Sequence, residues 1–439
     1  MEKRDTFKSR WGFIMACIGS AVGMGNIWLF PLRLGKGGGG AFLIAYIIWV
    51  IILGYSGVVE EITLGRMTRN GPIGAFSQAL QSRGKNPTIG KVLGMIPVIG
   101  SLCIAIGYSV VMGWIFHYTF NSFTGAAYHV PDTGEYFGKI AGAFGVVPWH
   151  LLALVVTFLV MTAGVSAGIE RLNKFMMPAF FLLFIILAVR ISFIPGAEEG
   201  YRYMFYPDWS LLAQPMTWVF AMGQAFFSLS LAGNGTLIYG SYFKSDEDIL
   251  YSARLICIFD SIAAMLAAMV IIPACTALLG FDKLSAGPPL MFITMPMIFQ
   301  ELAFGQIFMI IFFVAVLFAG LTSLVNLFEA PIATMQEMFN LSRAKATITI
   351  AVVGTAIAVC IEGIVGEWMD ILSIYVIPVG ALLAAVMLYW VFGIDKASSE
   401  MQKGHKHTLN PLVPWIGKYV FCPLALVVII LGIVFKGIG

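Results

Sequence analysis

Apolar residues in this chain gather into long runs divided by short polar stretches. A helix that crosses hydrocarbon needs about 20 mostly apolar residues, and each of its backbone groups must be satisfied within the segment. Counted on that basis, the pattern predicts eleven spans, near residues 11 to 34, 41 to 66, 92 to 122, 149 to 166, 169 to 193, 214 to 240, 248 to 280, 303 to 335, 345 to 361, 369 to 393 and 412 to 435. No stretch is long, polar or Ser/Gly-rich enough to be a linker, so residues 1 to 439 read as one all-α integral membrane domain.

Two spans break the helical rule. Within the first, Gly19-Ser20-Ala21-Val22-Gly23-Met24-Gly25-Asn26 places three glycines in the eight residues at mid-depth, and within the sixth Ser228-Leu229-Ser230-Leu231-Ala232-Gly233-Asn234-Gly235 does the same with serines and glycines. Small residues in membranes commonly serve close helix packing. Paired interruptions at corresponding positions of two halves point elsewhere, because unwound backbone survives at the midplane only where it lines a cavity. Here spans one to five (about 11–193) and six to ten (about 214–393) form the halves, with 412–435 as an extra helix. Half-helix N-termini present N–H groups and a positive dipole end to an anion. Freed carbonyls and hydroxyls suit a hard cation such as sodium.

The placement of charge sets the orientation. Lys3, Arg4, Lys8 and Arg10 precede span one; Arg66, Arg69, Arg83, Lys85 and Lys91 follow span two; Arg171, Lys174, Lys244, Arg254, Arg343, Lys345, Lys396, Lys403 and Lys406 fill alternate later loops. The opposite loops hold few, chiefly Lys139, Arg202 and Lys283. The positive-inside rule therefore puts the N-terminus in the cytoplasm and, with eleven spans, the C-terminus outside. The start MEKRDTFKSRW lacks the short apolar core and cleavage site of a signal peptide.

Composition agrees: 59% of residues are apolar and 11% charged, against about 25% charged in soluble domains. The net charge of +3 carries no sign of a nucleic-acid partner. The six cysteines form no CxxC pair and read as small buried hydrophobes, without disulfide or metal. The five histidines are scattered over loops and helix ends, His405 and His407 reading as solvated, so no catalytic cluster argues for an enzyme. Gly35-Lys36-Gly37-Gly38-Gly39-Gly40 lacks Walker spacing, which excludes an ATP-driven pump.

Four motifs resemble one family. Ala-Val-Gly-Met-Gly-Asn-Ile-Trp at 21 to 28 is similar to its first-helix signature, Gly37 to Phe42 to its turn into helix two, Gly223-Gln224-Ala225-Phe226-Phe227-Ser228-Leu229-Ser230 to that of helix six, and Phe318 to Ser323 to that of helix eight. The chain is identified as resembling the neurotransmitter:sodium symporters, prokaryotic eleven-helix members akin to the bacterial leucine and tyrosine transporters. The resemblance implies a 5+5 inverted-repeat fold with unwound helices one and six, a multi-pass place in the prokaryotic plasma membrane, and sodium-coupled import of a small amino acid by alternating access.

It further implies two sodium sites. The first takes the Ala21 carbonyl, the Asn26 amide oxygen, Ser228 and Asp260 with the substrate carboxylate; the second takes the carbonyls of Gly19, Val22 and Ala319 with the hydroxyls of Thr322 and Ser323. Many relatives carry a neutral residue at the Asp260 position and need chloride, so a resident carboxylate implies chloride independence; an acid in this apolar run is functional by default. The implied pocket is Ser20, Ala21, Met24, Gly25, Ile104, Tyr108, Phe227, Ser228, Ser230, Gly233, Ser323, Asn326 and Leu327. Tyr108 and the N–H groups of Met24 and Gly25 would hold the carboxylate and helix-six carbonyls the ammonium. Gly233 stands where relatives often carry Phe or Met, so a hydrophobic or aromatic side chain is expected.

For gating, the resemblance implies Phe227 as an aromatic lid and Arg4 with Glu337, Phe7 and Tyr242 on the inner side. The usual outer arginine is missing from Trp28-Leu29-Phe30-Pro31, and Arg33 with Asp370 is the expected replacement. Gly168 and Pro178 enclose nine residues where helix five would unwind, and Glu61 and Gln224 are expected to support the outer vestibule. A sodium-conducting channel and a non-transporting amino-acid sensor are the rival readings. The sequence leaves the oligomeric state open.

Overall fold

The structure, a computed structural model, describes residues 6–231, 234–280 and 287–438. All eleven predicted segments are helical, and the described residues contain no strand, only an isolated bridge between Gly39 and Pro207. Among the described residues, eight helices are long and apolar enough to cross a membrane, from Gly40–Thr68 to Leu412–Val434, and Arg10–Ala21 with Gly25–Lys36 makes a ninth, bent by 55°. Val147–Thr162 is shorter, and Pro215–Ser228 and Gly235–Ser241 divide span six between them.

Span ends follow local chemistry. Ser9 accepts the Gly12 N–H at 3.0 Å, and Asp248 accepts that of Tyr251 at 3.0 Å, each satisfying one of the donors that a helix start leaves free. Span ten runs further than its hydropathy predicts, as a helical stretch from Glu362 to Gln402. Polar tails added to an apolar stretch are invisible to an apolar count. The short amphipathic helices Pro72–Gln81 and Ala197–Phe205, and the apolar Leu290–Gln300, also fall outside the eleven.

Span three, Pro87–Thr124, runs along span eight, Gly305–Phe339, and the inner half of span six lies on span two. Glycine permits the second contact: a β-carbon on Gly65 would fall 2.0 Å from the Leu237 carbonyl oxygen, and one on Gly240 would fall 2.8 Å from Ile62 Cα. Large apolar side chains such as Ile51, Leu159, Leu182, Val352 and Val434 are exposed on the outside of the bundle, which a bilayer covers. Of the cysteines, Cys360 is exposed and Cys103 half-buried, so the expectation of six buried thiols holds only for the other four.

Candidate functional site

The first break follows from the residues that cannot continue a helix. Val22 adopts an extended conformation, with its N–H held by the Ile18 carbonyl at 2.7 Å, and helical structure resumes at Gly25 in a wide π-type turn, Gly25–Leu29. Asn26 accepts the Gly23 N–H on Oδ1 at 3.1 Å, bridging the gap. The second break begins after Ser228, where Ser230 takes a left-handed φ of 53°, and ends at Asn234 with φ 52°. Such angles are uncommon outside glycine, and asparagine is the side chain that tolerates them best.

The two breaks face each other. Ser230 Oγ donates to the Ser20 carbonyl at 2.9 Å, and Ser323 Oγ of span eight approaches the same oxygen at 3.4 Å. Beside them Asp260, wholly buried, accepts Asn26 Nδ2 at 2.7 Å and Ser228 Oγ at 2.8 Å, with Tyr46 Oη at 3.5 Å. Three residues of the implied first cation set thus lie in one hydrogen-bonded cluster. The orientation of Asn26 differs from the expectation: its NH2 group, not its oxygen, faces the carboxylate, because Oδ1 is engaged by Gly23. An amide rotation is needed before that oxygen could meet a cation.

Thr322 Oγ1 donates to the carbonyls of Phe318 and Ala319 at 3.0 Å, on the wall that faces Gly19, where a β-carbon would fall 2.9 Å from Thr322 Cβ. Span one and span eight therefore bring Gly19, Ala319, Thr322 and Ser323 to one level. Among the described residues no group of three or more His, Cys, Asp or Glu could hold a metal, so the oxygens on offer are mainly carbonyls, hydroxyls and amides, the ligands a hard monovalent ion accepts.

Tyr108 of span three accepts the Met24 N–H at 3.3 Å, and a β-carbon on Gly23 would lie 3.0 Å from that hydroxyl and 3.2 Å from Ser323 Oγ. The Phe227 ring covers Gly25, whose β-carbon would fall 3.1 Å from Phe227 Cδ1. Asn326 donates to the Gly235 carbonyl at 3.5 Å, Ile104 is buried and Leu327 half-buried. Gly233 and Arg4 lie outside the described residues. A cavity of about 40 Å³ is lined by Phe227 with Gly223, Phe226, Ser373, Ile374 and Pro378.

Arg33 and Asp370 are not paired. The guanidinium of Arg33 sits 4.5 Å from the Phe220 ring, its Nε has no hydrogen-bond partner, and no ion pair joins it to Asp370 among the described residues. An aromatic face takes up part of a cation's charge, which explains the preference for Phe220. Glu61 also departs from its expected place: it caps the second half of span six, Gly235–Ser241, accepting the Thr236 hydroxyl, the Leu237 N–H at 3.2 Å and Asn234 Nδ2 at 3.4 Å. A carboxylate at a helix N-terminus meets the positive end of the dipole. Gln224 donates to the Gly25 carbonyl at 3.1 Å, on the outer half of span one.

A second linked group, around the start of span one, holds residues that the sequence singles out only in part. Tyr242 Oη donates to Glu329 at 2.8 Å, and Arg343 grips the same carboxylate through two nitrogens at 2.9 and 2.7 Å. Glu170 accepts the Lys8 N–H, Ser9 Oγ and Lys174 Nζ, fastening span five to the start of span one. Phe7 stands edge-on to Phe13, Tyr239 and Tyr242. Glu337 accepts the Gly71 N–H at 3.0 Å. His405 is not merely solvated, since Nδ1 meets Asp248 at 2.9 Å. A further buried chain runs from Ser109 through His150 to Glu362, at 2.9 and 2.8 Å, joining spans three and four to the start of span ten. Glu329, Glu170 and His150 escaped the sequence reading because their partners come from other helices. An acid in an apolar stretch was the available signal.

Two mid-membrane breaks facing one another across a polar centre, inside an all-helical bundle, define a carrier of the leucine-transporter fold. The chain belongs to the sodium:neurotransmitter symporter family, whose sequence profile matches residues 4–131 and 137–437. It is a multi-pass, sodium-dependent transporter and not an enzyme. It is 32% identical to an uncharacterized sodium-dependent transporter, YhdH, of Bacillus subtilis over 99% of this chain and 98% of that one. A second uncharacterized sodium-dependent transporter, from Methanocaldococcus jannaschii, is 30% identical over 91% of this chain and 85% of its own. Among solved structures, MhsT in complex with L-phenylalanine superposes with a TM-score of 0.86 at 33% identity, covering 98% of this chain and 99% of that one.

Proposed function

We propose that this protein imports a hydrophobic or aromatic amino acid, together with two sodium ions, across the prokaryotic cytoplasmic membrane, its N-terminus lying inside. The observation that carries the reading is the meeting of the two breaks at Ser20, Ser230 and Ser323, with Tyr108 and Met24 on one side and Asp260 on the other. The substrate carboxylate is held by the Tyr108 hydroxyl and the N–H groups of Met24 and Gly25, and its ammonium by span-six carbonyls. The side chain lies toward Ile104, Phe227, Leu327 and Asn326. Phenylalanine in MhsT supports an apolar or aromatic substrate.

One sodium sits with Ala21, Asn26, Ser228 and Asp260, the other with Gly19, Val22, Ala319, Thr322 and Ser323. Asp260 supplies the negative charge that chloride supplies elsewhere, so transport is chloride-independent. The chain acts as a single domain, with residues 11–193 and 214–393 as the two repeats that rock against each other and 412–435 as an accessory helix. A zwitterion carries no net charge across the potential, whereas each sodium contributes about 2.3 kcal/mol per 100 mV. Phe227 closes the outer side and Phe7 with Tyr242 the inner.

The test is uptake of radiolabelled amino acids by proteoliposomes, with and without an inward sodium gradient, after a thermal-shift screen of the twenty amino acids in sodium and in potassium. Accumulation that requires the gradient supports the proposal. Binding without accumulation would identify a sensor, and sodium current without accumulation a channel; either would overturn it.

A further inference from the structure

Asn173 of span five is wholly buried, and its two polar atoms are treated unequally. Nδ2 donates to the Ile169 carbonyl one turn back at 2.8 Å, which fixes the amide. Oδ1 has no hydrogen-bond partner among the described residues. It points at span one: a β-carbon on Gly19 would fall 1.9 Å from Asn173 Oδ1, and the same point lies 2.9 Å from Thr322 Cβ. Gly19 therefore lets the amide oxygen approach span one closely, at a point that Thr322 also borders. A carbonyl-type oxygen left without a donor among helices is costly, and most buried acceptors avoid it.

We propose that Asn173 gives its amide oxygen to the sodium ion held between spans one and eight, as a side-chain ligand from span five in addition to the Gly19, Val22, Ala319, Thr322 and Ser323 set. This rests on the reading of those five residues as a sodium site. A hard cation takes oxygens in preference to other donors and makes several such contacts, so an unspent oxygen at this level is one it can use. Gly19 offers Oδ1 no side chain, and the Thr322 hydroxyl is committed to Phe318 and Ala319. The position also has a consequence for release. Asn173 stands just beyond the wide turn Val165–Glu170, which follows Gly164 at φ 91°, so a shift of span five at that turn withdraws one ligand from the ion. Release of the ion and the bend of span five are thereby linked through one side chain.

The experiment titrates sodium chloride against potassium chloride at constant ionic strength and follows the melting temperature of the purified full-length protein, which rises as sodium binds the native state. Asn173→Leu keeps the volume and removes the oxygen; it should raise the half-maximal sodium concentration about tenfold, the equivalent of about 1.4 kcal/mol. Asn173→Asp keeps an oxygen in place and should stay within about threefold of the wild type. Asn173→Ala is read alongside, so that a packing defect of leucine against Gly19 does not decide the result, and melting in potassium alone reports the fold. Thr322→Val is the reference for the site itself. If Thr322→Val raises the sodium requirement while Asn173→Leu and Asn173→Ala leave it within twofold, Asn173 is not a ligand and the site reading stands. If none of the variants changes it, both are wrong. A water molecule satisfying Oδ1 would give the first of these results.

Discussion

Replacing Asp260 by asparagine isolates the charge at the centre of the site. The carboxylate is wholly buried and accepts Asn26 Nδ2 at 2.7 Å and Ser228 Oγ at 2.8 Å. An amide of the same shape keeps an acceptor for one of those donors, so the fold should persist while the negative charge is lost. A unit charge about 4 Å from a cation contributes about 4 kcal/mol at an effective dielectric of about 20. Taking half of that, because the surrounding dipoles remain, gives about 2 kcal/mol, or roughly a 25-fold loss of sodium affinity. The proposed chloride independence adds a second sign. In Asp260→Asn a mobile anion should stand in for the lost carboxylate, so uptake should recover in chloride and stay low in gluconate, whereas the wild type should transport equally in both. The assay is sodium-driven uptake of radiolabelled phenylalanine into proteoliposomes with either anion on both sides. A wild-type protein that stops in gluconate, or a variant with an unchanged sodium requirement, refutes the reasoning.

Other expectations follow from the contacts around the breaks. Arg343→Ala leaves the buried Glu329 carboxylate with Tyr242 alone, and uncompensated buried charge costs about 3–5 kcal/mol, so its melting temperature should fall sharply, with partial recovery in Glu329→Gln/Arg343→Ala. Glu61→Ala strands donors of Thr236, Leu237 and Asn234 at a cost of about 1–3 kcal/mol, and Glu61→Gln should cost less, as thermal melting in detergent can show. Gly25→Ala places a β-carbon about 3.1 Å from Phe227 Cδ1, which crowds the ring over the proposed pocket; competition uptake should then favour alanine over tryptophan by about tenfold relative to the wild type.

How much of this was legible in the sequence depends on the range of each interaction. Mid-depth glycines and serines announce both breaks, since a backbone that cannot stay helical in lipid shows itself in composition alone. Asp260 is visible for the same reason, as an acid inside Cys257-Ile258-Phe259. The role of Glu61 was not legible: its donors lie 173 to 176 residues away, and an acid next to Glu60 gives no hint of which helix end it faces. His150 meets Glu362 across 212 residues, and neither looks exceptional in its own segment. The Arg33 expectation erred through spacing. One helical turn carried the charge to Phe220, whose ring face takes up part of it and which no spacing rule for ion pairs reveals. Asn173 was silent for a related reason, as an ordinary amide in Arg171-Leu172-Asn173-Lys174 until its oxygen is found without a donor.

The Ser20 carbonyl serves hydroxyls from two other helices, Ser230 at 2.9 Å and Ser323 at 3.4 Å. On the proposed rocking of the two repeats, such a junction would serve as the fulcrum. Sliding of the interrupted helices past the eighth at this height would break both links, so in that proposal each half swings about it, with travel greatest at the faces of the bilayer and least at its middle.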